Sequence, residues 1–250
     1  MKKRYVFFIP TLRQGGGERV ISLLSRKMTE EDLSVTILLY LDEPIFYEID
    51  ARVNIVCVRR ETGSSNMMKN LFWMRRFLRE NADVLISFLA PYNILALLAT
   101  FGGKQTVIVA DRNDPRFIPA KPMIRKIRDF LYRFADGVIV QTTHNLEYFS
   151  PYIQKKSRVI FNPVDMKDLA GKALTAEKEK AIVSVGRLLP QKNQELLVKA
   201  FAKVHTAFPE HKLVIYGDGA HRDSLEALVQ KLDLQQHVLL PGTLMFMKRF

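Results

Sequence analysis

Short apolar runs of strand length alternate with helix-period segments along almost the whole chain. This alternation limits the fold more than any other feature. Residues 5–9 are an apolar run, and residues 18–28 then place Val20, Ile21, Leu23, Leu24 and Met28 on one helical face. Further strand-like runs lie at 35–40, 53–58, 84–88, 106–110, 137–140 and 158–161, with a helix over 67–80. Strands separated by helices return parallel to one another, so the pattern predicts an α/β fold with a parallel sheet covered on both faces.

The alternation breaks once. Residues 166–180, MKDLAGKALTAEKEK, lose β character and end in alternating charge. It then restarts with strands at 181–185, 212–216 and 237–240 and helices at 193–207 and 223–231. Leu196, Leu197, Ala200, Phe201 and Val204 form one helix stripe, and Leu225, Leu228, Val229 and Leu232 another. Three strands and two helices make about half of a doubly wound domain. The expected division is a domain over 1–165, a linker over 166–180 and a partial domain over 181–250.

Composition removes several classes. A hydrophobic content of 48% excludes a disordered chain. The single cysteine, Cys57 in VNIVCV, has no intrachain partner and reads as a small buried hydrophobe. The apolar start at 5–10 is too short for a signal-peptide core. The apolar region 84–101 is interrupted by Ser87, Pro91, Tyr92 and Asn93, which predicts strand, loop and buried helix rather than a membrane span. A net charge of +12 suits nucleic acid, anionic lipid or phosphorylated substrates without choosing among them. No nucleic-acid-binding motif accompanies it, so nucleic acid is not expected as a partner.

Four turns carry candidate chemistry. In PTLRQGGGERV, Gly15, Gly16 and Gly17 open a helix, where free N–H groups and the dipole favour an anion; tight packing is the alternative. The spacing is not G-x-G-x-x-G, so a dinucleotide site gains no support. In VSVGRLLPQKN, Gly186 lets the chain turn, Arg187 and Lys192 flank the loop, and Asn193 stands at the N-cap. Two cations between a strand's end and a helix start suit a diphosphate; two solvated side chains are the alternative. In LVIYGDG, Gly217 and Gly219 lie at the end of a strand and Asp218 is expected to cap the next helix. In VADRNDP, Arg112 and Asn113 either contact an acceptor or phosphate, or belong to a plain turn stabilised by Asp114 and Pro115. The five histidines show no metal-ligand spacing, and surface or capping roles are expected for all of them.

Two segments mix basic and apolar residues. NMMKNLFWMRRFLRE carries Lys69, Arg75, Arg76 and Arg79; RFIPAKPMIRKIRDFLYRF carries Arg116, Lys121, Arg125, Lys126, Arg128 and Arg133. Each fits a helix lying in an anionic membrane interface, and each equally fits an ordinary amphipathic helix packed on the sheet with a basic solvent face.

The stretch from VSVGRLLPQKN through LVIYGDG to VLLPG resembles the first half of the donor-binding domain of family 4 glycosyltransferases, the retaining enzymes of the GT-B fold. VLISFLAPYN, VADRNDP and VIFNPVD look like the same family in the first domain. The resemblance implies a GT-B type α/β architecture: a Rossmann-like acceptor-side domain, then about half of a second Rossmann-like, nucleotide-sugar-binding domain. It implies transfer of a sugar from a nucleotide sugar, UDP-sugar first, to a lipid-linked or polysaccharide acceptor in bacterial surface glycan synthesis. Arg187, Lys192 and Gly186 would bind the donor diphosphate, and Gly15, Gly16, Gly17, Gly217 and Gly219 would line the cleft. No metal or other cofactor is implied, because helix dipoles and basic side chains serve the diphosphate. The implied setting is cytoplasmic, with peripheral contact at the anionic inner face of the membrane.

Two features depart from the family. Its E-x7-E motif, which serves the transferred sugar and the ribose, has no counterpart: no two glutamates are separated by seven residues. The catalytic residues therefore stay unassigned. The closing TLMFMKRF replaces an expected acidic helix start. Read from the last base of a Leu244 codon ending in G, the codons spell D-V-Y-E-K-I-L or close to it, which is that helix start. The expectation is a truncated chain, with one base lost (or two gained) near Thr243. A non-catalytic, frameshifted remnant acting as a binding or partner protein is the alternative.

Overall fold

Alternate residues of β1 (Arg4–Ile9) go to opposite faces: Val6 and Phe8 join one buried cluster, Phe7 and Ile9 another. Both faces are therefore covered, which explains a strand apolar throughout rather than alternating. The computed structural model describes residues 2–164 and 179–243. Nearly all of the expected linker, and the closing segment from Leu244, lie outside those residues. The chain divides into two compact units, Met1–Met166 and Lys167–Phe250.

In the first unit, β2 (Ser34–Leu39) and β3 (Asn54–Cys57) lie to one side of β1. β4 (Val84–Phe88), β5 (Thr106–Ala110), β6 (Gly137–Val140) and β7 (Ser157–Val159) lie to the other. The order β3-β2-β1-β4-β5-β6-β7 is parallel throughout. α1 (Gly16–Glu30) covers one face with Val20 and Ile21. After α2 (Val58–Thr62), helices α3 (Met67–Asn81) and α4 (Ala90–Thr100) cover the other. α5 (Pro122–Leu131) runs into a 3-10 turn at Tyr132–Phe134, and α6 (Thr143–Tyr148) and α7 (Pro151–Gln154) complete the unit. The pattern 53–58 contains both β3 and the start of α2, and β7 stops at Val159 rather than 161. Helices of four to six residues are too short to show a 3.6-residue period, which is why α2, α6 and α7 leave no signature in the sequence.

The two basic helices differ. α3 is conventional: Asn66 Oδ1 accepts from the N–H groups of Met68 (2.9 Å) and Lys69 (3.1 Å), and Met74 and Leu78 enter the core. α5 is inverted. Its one fully buried side chain is Arg128, expected on the basic solvent face, while Met123, Ile127 and Phe130 face outward. Arg128 donates from Nη1 to the Ile118 carbonyl (2.7 Å), from Nη2 to the Pro115 carbonyl (3.0 Å) and from Nε to Asp129 Oδ1 (2.9 Å). Its guanidinium lies 5.2 Å from the Tyr148 ring centre and 5.4 Å from that of Phe149. Asp111 Oδ2 is 3.7 Å from Arg128 Nη1 and accepts from the Tyr132 hydroxyl at 3.2 Å. One buried cation thus ties α5, the loop after β5 and α6 together.

The second unit has β8 (Ala181–Val185), β9 (Lys212–Tyr216) and β10 (Val238–Gly242), parallel in the order β10-β9-β8. α8 (Gln194–His205) and α9 (Arg222–Lys231) pack on it through Val198, Phe201, Leu225 and Val229 against Leu213 and Ile215. β8 is an edge strand among the described residues, and Val183 and Val185 are exposed on it.

Burial raises the Asp111 carboxyl to about 6 from the usual 3.8, against the opposing pull of Arg128 and the Tyr132 hydrogen bond. The folded state therefore binds an extra proton between those two values. The associated stability is full below 3.8 and is lost as pH rises through about 6. An Asp111→Asn chain lacks this titration. On going from about pH 7 to about pH 4, the wild type should gain roughly 2–3 kcal/mol relative to that variant. Urea unfolding at matched pH reads the difference; a pH-independent gap between the two proteins contradicts it.

Candidate functional site

From β1 and β4 the chain winds outward in opposite directions, so the loops after these neighbouring strands diverge. In such sheets the crevice at the strands' carboxyl ends is where ligands enter. The loop after β1 is fixed from several sides. Leu12 is buried in the core, the Leu41 N–H reaches the Pro10 carbonyl at 2.9 Å, and the Phe46 N–H reaches the Leu12 carbonyl at 2.8 Å. The Tyr47 hydroxyl accepts from the Gly15 N–H (3.2 Å) and donates to the Gly15 carbonyl (2.9 Å).

Gly15, Gly16 and Gly17 are then the cap and the first two residues of α1. None has a left-handed backbone. A Cβ on Gly16 would meet nothing within 4 Å, and one on Gly17 would touch only Ile9, at 3.9 Å. Neither backbone nor packing asks for glycine at position 16, although glycine in a helix is about 0.5–1 kcal/mol worse than alanine. A side chain at position 16 would project into open space close to the helix's first N–H groups. Position 15 is tighter, because the Glu18 carboxylate folds back over it.

At the end of β4, Leu89 has φ 73° and ψ 128°, a strained conformation for a side chain branched beyond Cβ. Its N–H bonds the Ala110 carbonyl at 3.2 Å, and its carbonyl accepts from Tyr92 and Asn93, both at 2.9 Å. The buried Asn93 amide donates to the Ala110 carbonyl (3.1 Å) and the Tyr132 hydroxyl (2.7 Å). These bonds hold the turn against its strain.

After β5, the Arg112 guanidinium lies 4.9 Å from the Phe88 ring centre, and its buried Nε has no hydrogen-bond partner. Burial lowers its pKa. The turn expected next to it also exists. Asp114 Oδ1 accepts from the Arg116 N–H at 2.9 Å, and the Asp114 carbonyl accepts from Phe117 (3.2 Å) and Ile118 (3.0 Å). Arg112 stands outside that turn. Asn113 is half-buried, and its carbonyl accepts from Asn145 Nδ2 at 3.3 Å.

In the second unit two turns are laced together by their backbones. The Gly186 N–H bonds the Tyr216 carbonyl (2.9 Å), Leu188 bonds Asp218 (2.9 Å), and His221 bonds Leu188 (3.1 Å). Gly217, at φ +141°, and Gly219, at φ +154°, are required by this contact. A Cβ would come 2.0 Å from the Gly186 oxygen in the first case and 2.5 Å from the Leu188 oxygen in the second. Their glycine identity is thus accounted for within the fold. Lys192 lies in a 3-10 turn, with its methylenes 3.9–4.0 Å from where a Gly186 Cβ would stand. Arg187 is exposed, and its carbonyl accepts from the buried Gln194 side chain at 3.0 Å. Neither Arg187 nor Lys192 joins an ion pair among the described residues.

Three smaller expectations are corrected. Asn193 occupies the N-cap of α8 in a left-handed conformation (φ 49°) without a side-chain cap bond. Asp218 accepts from its neighbour Gly219 at 2.8 Å instead of capping α9, whose cap position is His221. His205 and His237 are half-buried and packed together, their ring centres 4.0 Å apart, and His205 also stacks on Phe201. Among the described residues, no group of three or more His, Cys, Asp or Glu is placed to hold a metal ion. Leu89, Asn93 and Tyr47 escaped the sequence reading, since a strained turn or a hydroxyl strapped to a backbone leaves no spacing to detect.

Gly217→Ala should destabilise the second unit by at least about 2 kcal/mol through backbone strain and overlap with Gly186. Hydrogen exchange at the Gly186 and Leu188 amides reads this, and unchanged protection there counts against the lacing.

The family profile described as Glycosyltransferase Family 4 matches residues 14–168, and that of Glycosyl transferases group 1 matches residues 165–249. The N-acetylgalactosamine-N,N'-diacetylbacillosaminyl-diphospho-undecaprenol 4-alpha-N-acetylgalactosaminyltransferase of Campylobacter jejuni is 31% identical over 260 residues, covering 94% of this chain and 68% of that protein. A second Campylobacter jejuni transferase, an alpha-1,4-N-acetyl-D-galactosaminyltransferase named for a diNAcBac-PP-undecaprenol-linked glycan, is 29% identical and covered to 65% of its length. The amylovoran biosynthesis glycosyltransferase AmsD of Erwinia amylovora is 28% identical, over 89% of this chain and 64% of its own. The chain thus spans about two thirds of the length of the curated relatives it matches. Among solved structures, Anabaena HepE in complex with UDP and glucose superposes with a TM-score of 0.73 at 16% identity, over 97% of this chain and 70% of that one. The apo lipopolysaccharide outer core galactosyltransferase WaaB gives 0.67 at 18%, over 98% and 69%. The architecture is that of the GT-B glycosyltransferases. With one profile running through most of the first unit and a relative 31% identical across nearly the whole chain, this protein belongs to glycosyltransferase family 4.

Proposed function

We propose that this chain transfers a sugar from a nucleotide sugar, UDP-sugar first, to a lipid-linked or polysaccharide acceptor in bacterial surface glycan assembly. One observation carries the reading. At the switch point of the larger sheet, α1 begins with Gly16, which neither the backbone nor a neighbour requires and whose Cβ position is open, although the Glu18 carboxylate folds over Gly15 beside it. An anionic group approaching the helix dipole is the ligand such clearance suits. Two relatives named for undecaprenol-linked glycans support the lipid-linked acceptor, and the amylovoran enzyme supports the polysaccharide.

In this reading Arg187 and Lys192 take the donor diphosphate. As the sugar departs, charge grows on the diphosphate, and cations already in place stabilise that state without reorganising. Lys192, with its methylenes beside Gly186, and Arg187, on a loop laced to the next turn, support this reading. Arg112, fixed over Phe88 with an unused Nε, serves the acceptor side together with Asn113. Catalysis needs no metal in this scheme. Cytoplasmic placement, contact with an anionic membrane face and absence of nucleic acid as a partner belong to the same proposal. Among the described residues no helix is long and apolar enough to cross a membrane.

Gly16→Ala separates the ligand role from the fold. The variant should be about 0.4–1 kcal/mol more stable, because alanine restricts the unfolded chain at a backbone conformation it can adopt, while transfer falls. Equal transfer by a stabilised Gly16→Ala protein removes the observation on which the proposal stands. The diphosphate grip is tested by calorimetric titration of the full chain with UDP. Arg187→Ala and Lys192→Ala should each weaken binding roughly tenfold to a hundredfold, the value of a charge-assisted hydrogen bond. Donor hydrolysis or transfer by the purified wild type distinguishes an enzyme from a non-catalytic binding protein.

A further inference from the structure

α5 is built inside out, and its outward face is the basis for a site of its own. Met123, Ile127 and Phe130 recur at helical spacing and are 74%, 44% and 57% exposed. Phe134, 49% exposed, continues the stripe; its ring centre lies 5.6 Å from that of Phe130 and 5.5 Å from that of Phe101, itself 57% exposed. The helix cannot turn this stripe inward, because the buried position belongs to Arg128 and its carbonyl and carboxylate partners. The apolar face is therefore fixed outward, and a contiguous exposed apolar patch marks an interaction surface.

The surroundings name the partner. Lys104, Lys121, Lys126 and Arg133 are exposed around the stripe, and none joins an ion pair among the described residues. The acidic groups nearby are already engaged: Asp129 accepts from Arg128 and Tyr148, and Asp136 from the Val107 N–H. A depression beside the stripe is lined by Lys126, Arg133, Phe130 and Ser150. Large apolar side chains ringed by unpaired cations match an anionic lipid surface: rings and thioether enter the acyl boundary, and the cations meet headgroup phosphates. α3 also exposes Met68 and Phe72, but its Arg76 is neutralised by Glu80, and its Met74 and Leu78 face the core.

We infer that the outward face of α5, with Phe134 and Phe101, docks this protein on an anionic bilayer. The inference gives a physical location to the lipid-linked acceptor reading and rests on it for its purpose. The measurement needs neither donor nor acceptor, so the two fail separately.

The full chain is mixed with vesicles of equimolar phosphatidylglycerol and phosphatidylcholine, or of phosphatidylcholine alone, and followed by co-flotation. Binding to the anionic vesicles is expected, falling with added salt. Lys126→Glu with Arg133→Glu should lower partitioning by at least about fivefold per cation. Ile127→Ser with Phe130→Ser, which keeps every charge, should also abolish retention. Both positions are exposed, so the fold persists, and circular dichroism checks that it does. Protection of residues 121–134 from hydrogen exchange on adding anionic vesicles locates the contact. The inference is overturned by no binding of the wild type, by binding that both variants retain, or by a dimer in light scattering that Phe130→Ser dissociates without any vesicle binding.

Discussion

A parallel sheet places its loops at the two ends of its strands, and the rest of this molecule follows from that constraint. Every strand of the larger sheet ends on the same side, so the turns after β1, β4 and β5 are neighbours although they lie far apart in sequence. Where the winding direction reverses, between β1 and β4, helices leave to opposite faces. The glycine turn at 15–17, the strained Leu89 and the Arg112 guanidinium are collected there by topology alone.

Holding those turns still requires polar groups buried at the sheet's end, and a buried polar group is costly unless it is paired. The molecule meets this with a chain of partners: Asn93 to Tyr132, Tyr132 to Asp111, Asp111 to Arg128, and Arg128 to the carbonyls of Pro115 and Ile118. A single cation supplies donors for a loop that has little regular structure of its own. Its consequence is the inverted helix. Once the inward face of α5 is committed to a guanidinium, Met123, Ile127 and Phe130 face outward. The same interaction therefore shapes the end of the β5 loop and exposes the surface on the far side of the helix.

Much of this was legible in the chain. Strand length, helical period and a break at 166–180 are properties of local sequence, and they place nearly every strand and long helix within a few residues. The turns were legible as well, because glycine, proline and asparagine mark them. Side-chain direction was not. MIRKIRDFL contains an apolar and a basic stripe on one helix, and only the partners waiting at Pro115, Ile118 and Tyr148 decide which turns inward. Leu89 was hidden for a related reason: nothing about a leucine announces a left-handed φ, which the bonds to Ala110 and Asn93 impose from outside.

The glycines show where sequence and structure must be read together. Gly16 and Gly217 look alike as letters, each in a strand-to-helix turn. Gly217 is explained by the Gly186 carbonyl, which leaves no room for a Cβ; its role is complete within the folded chain. Gly16 has no such explanation, and the fold would be better served by alanine. Stability does not require glycine at this position, which lies among the turns that topology gathers at the sheet's end. The lacing of 186–188 to 217–219 has the complementary meaning. It fixes the backbone of the loop that carries Arg187 and Lys192. Each unit thus carries its own feature: a backbone-laced loop beneath Arg187 and Lys192 in the second, and a glycine that the fold does not require at the start of α1 in the first.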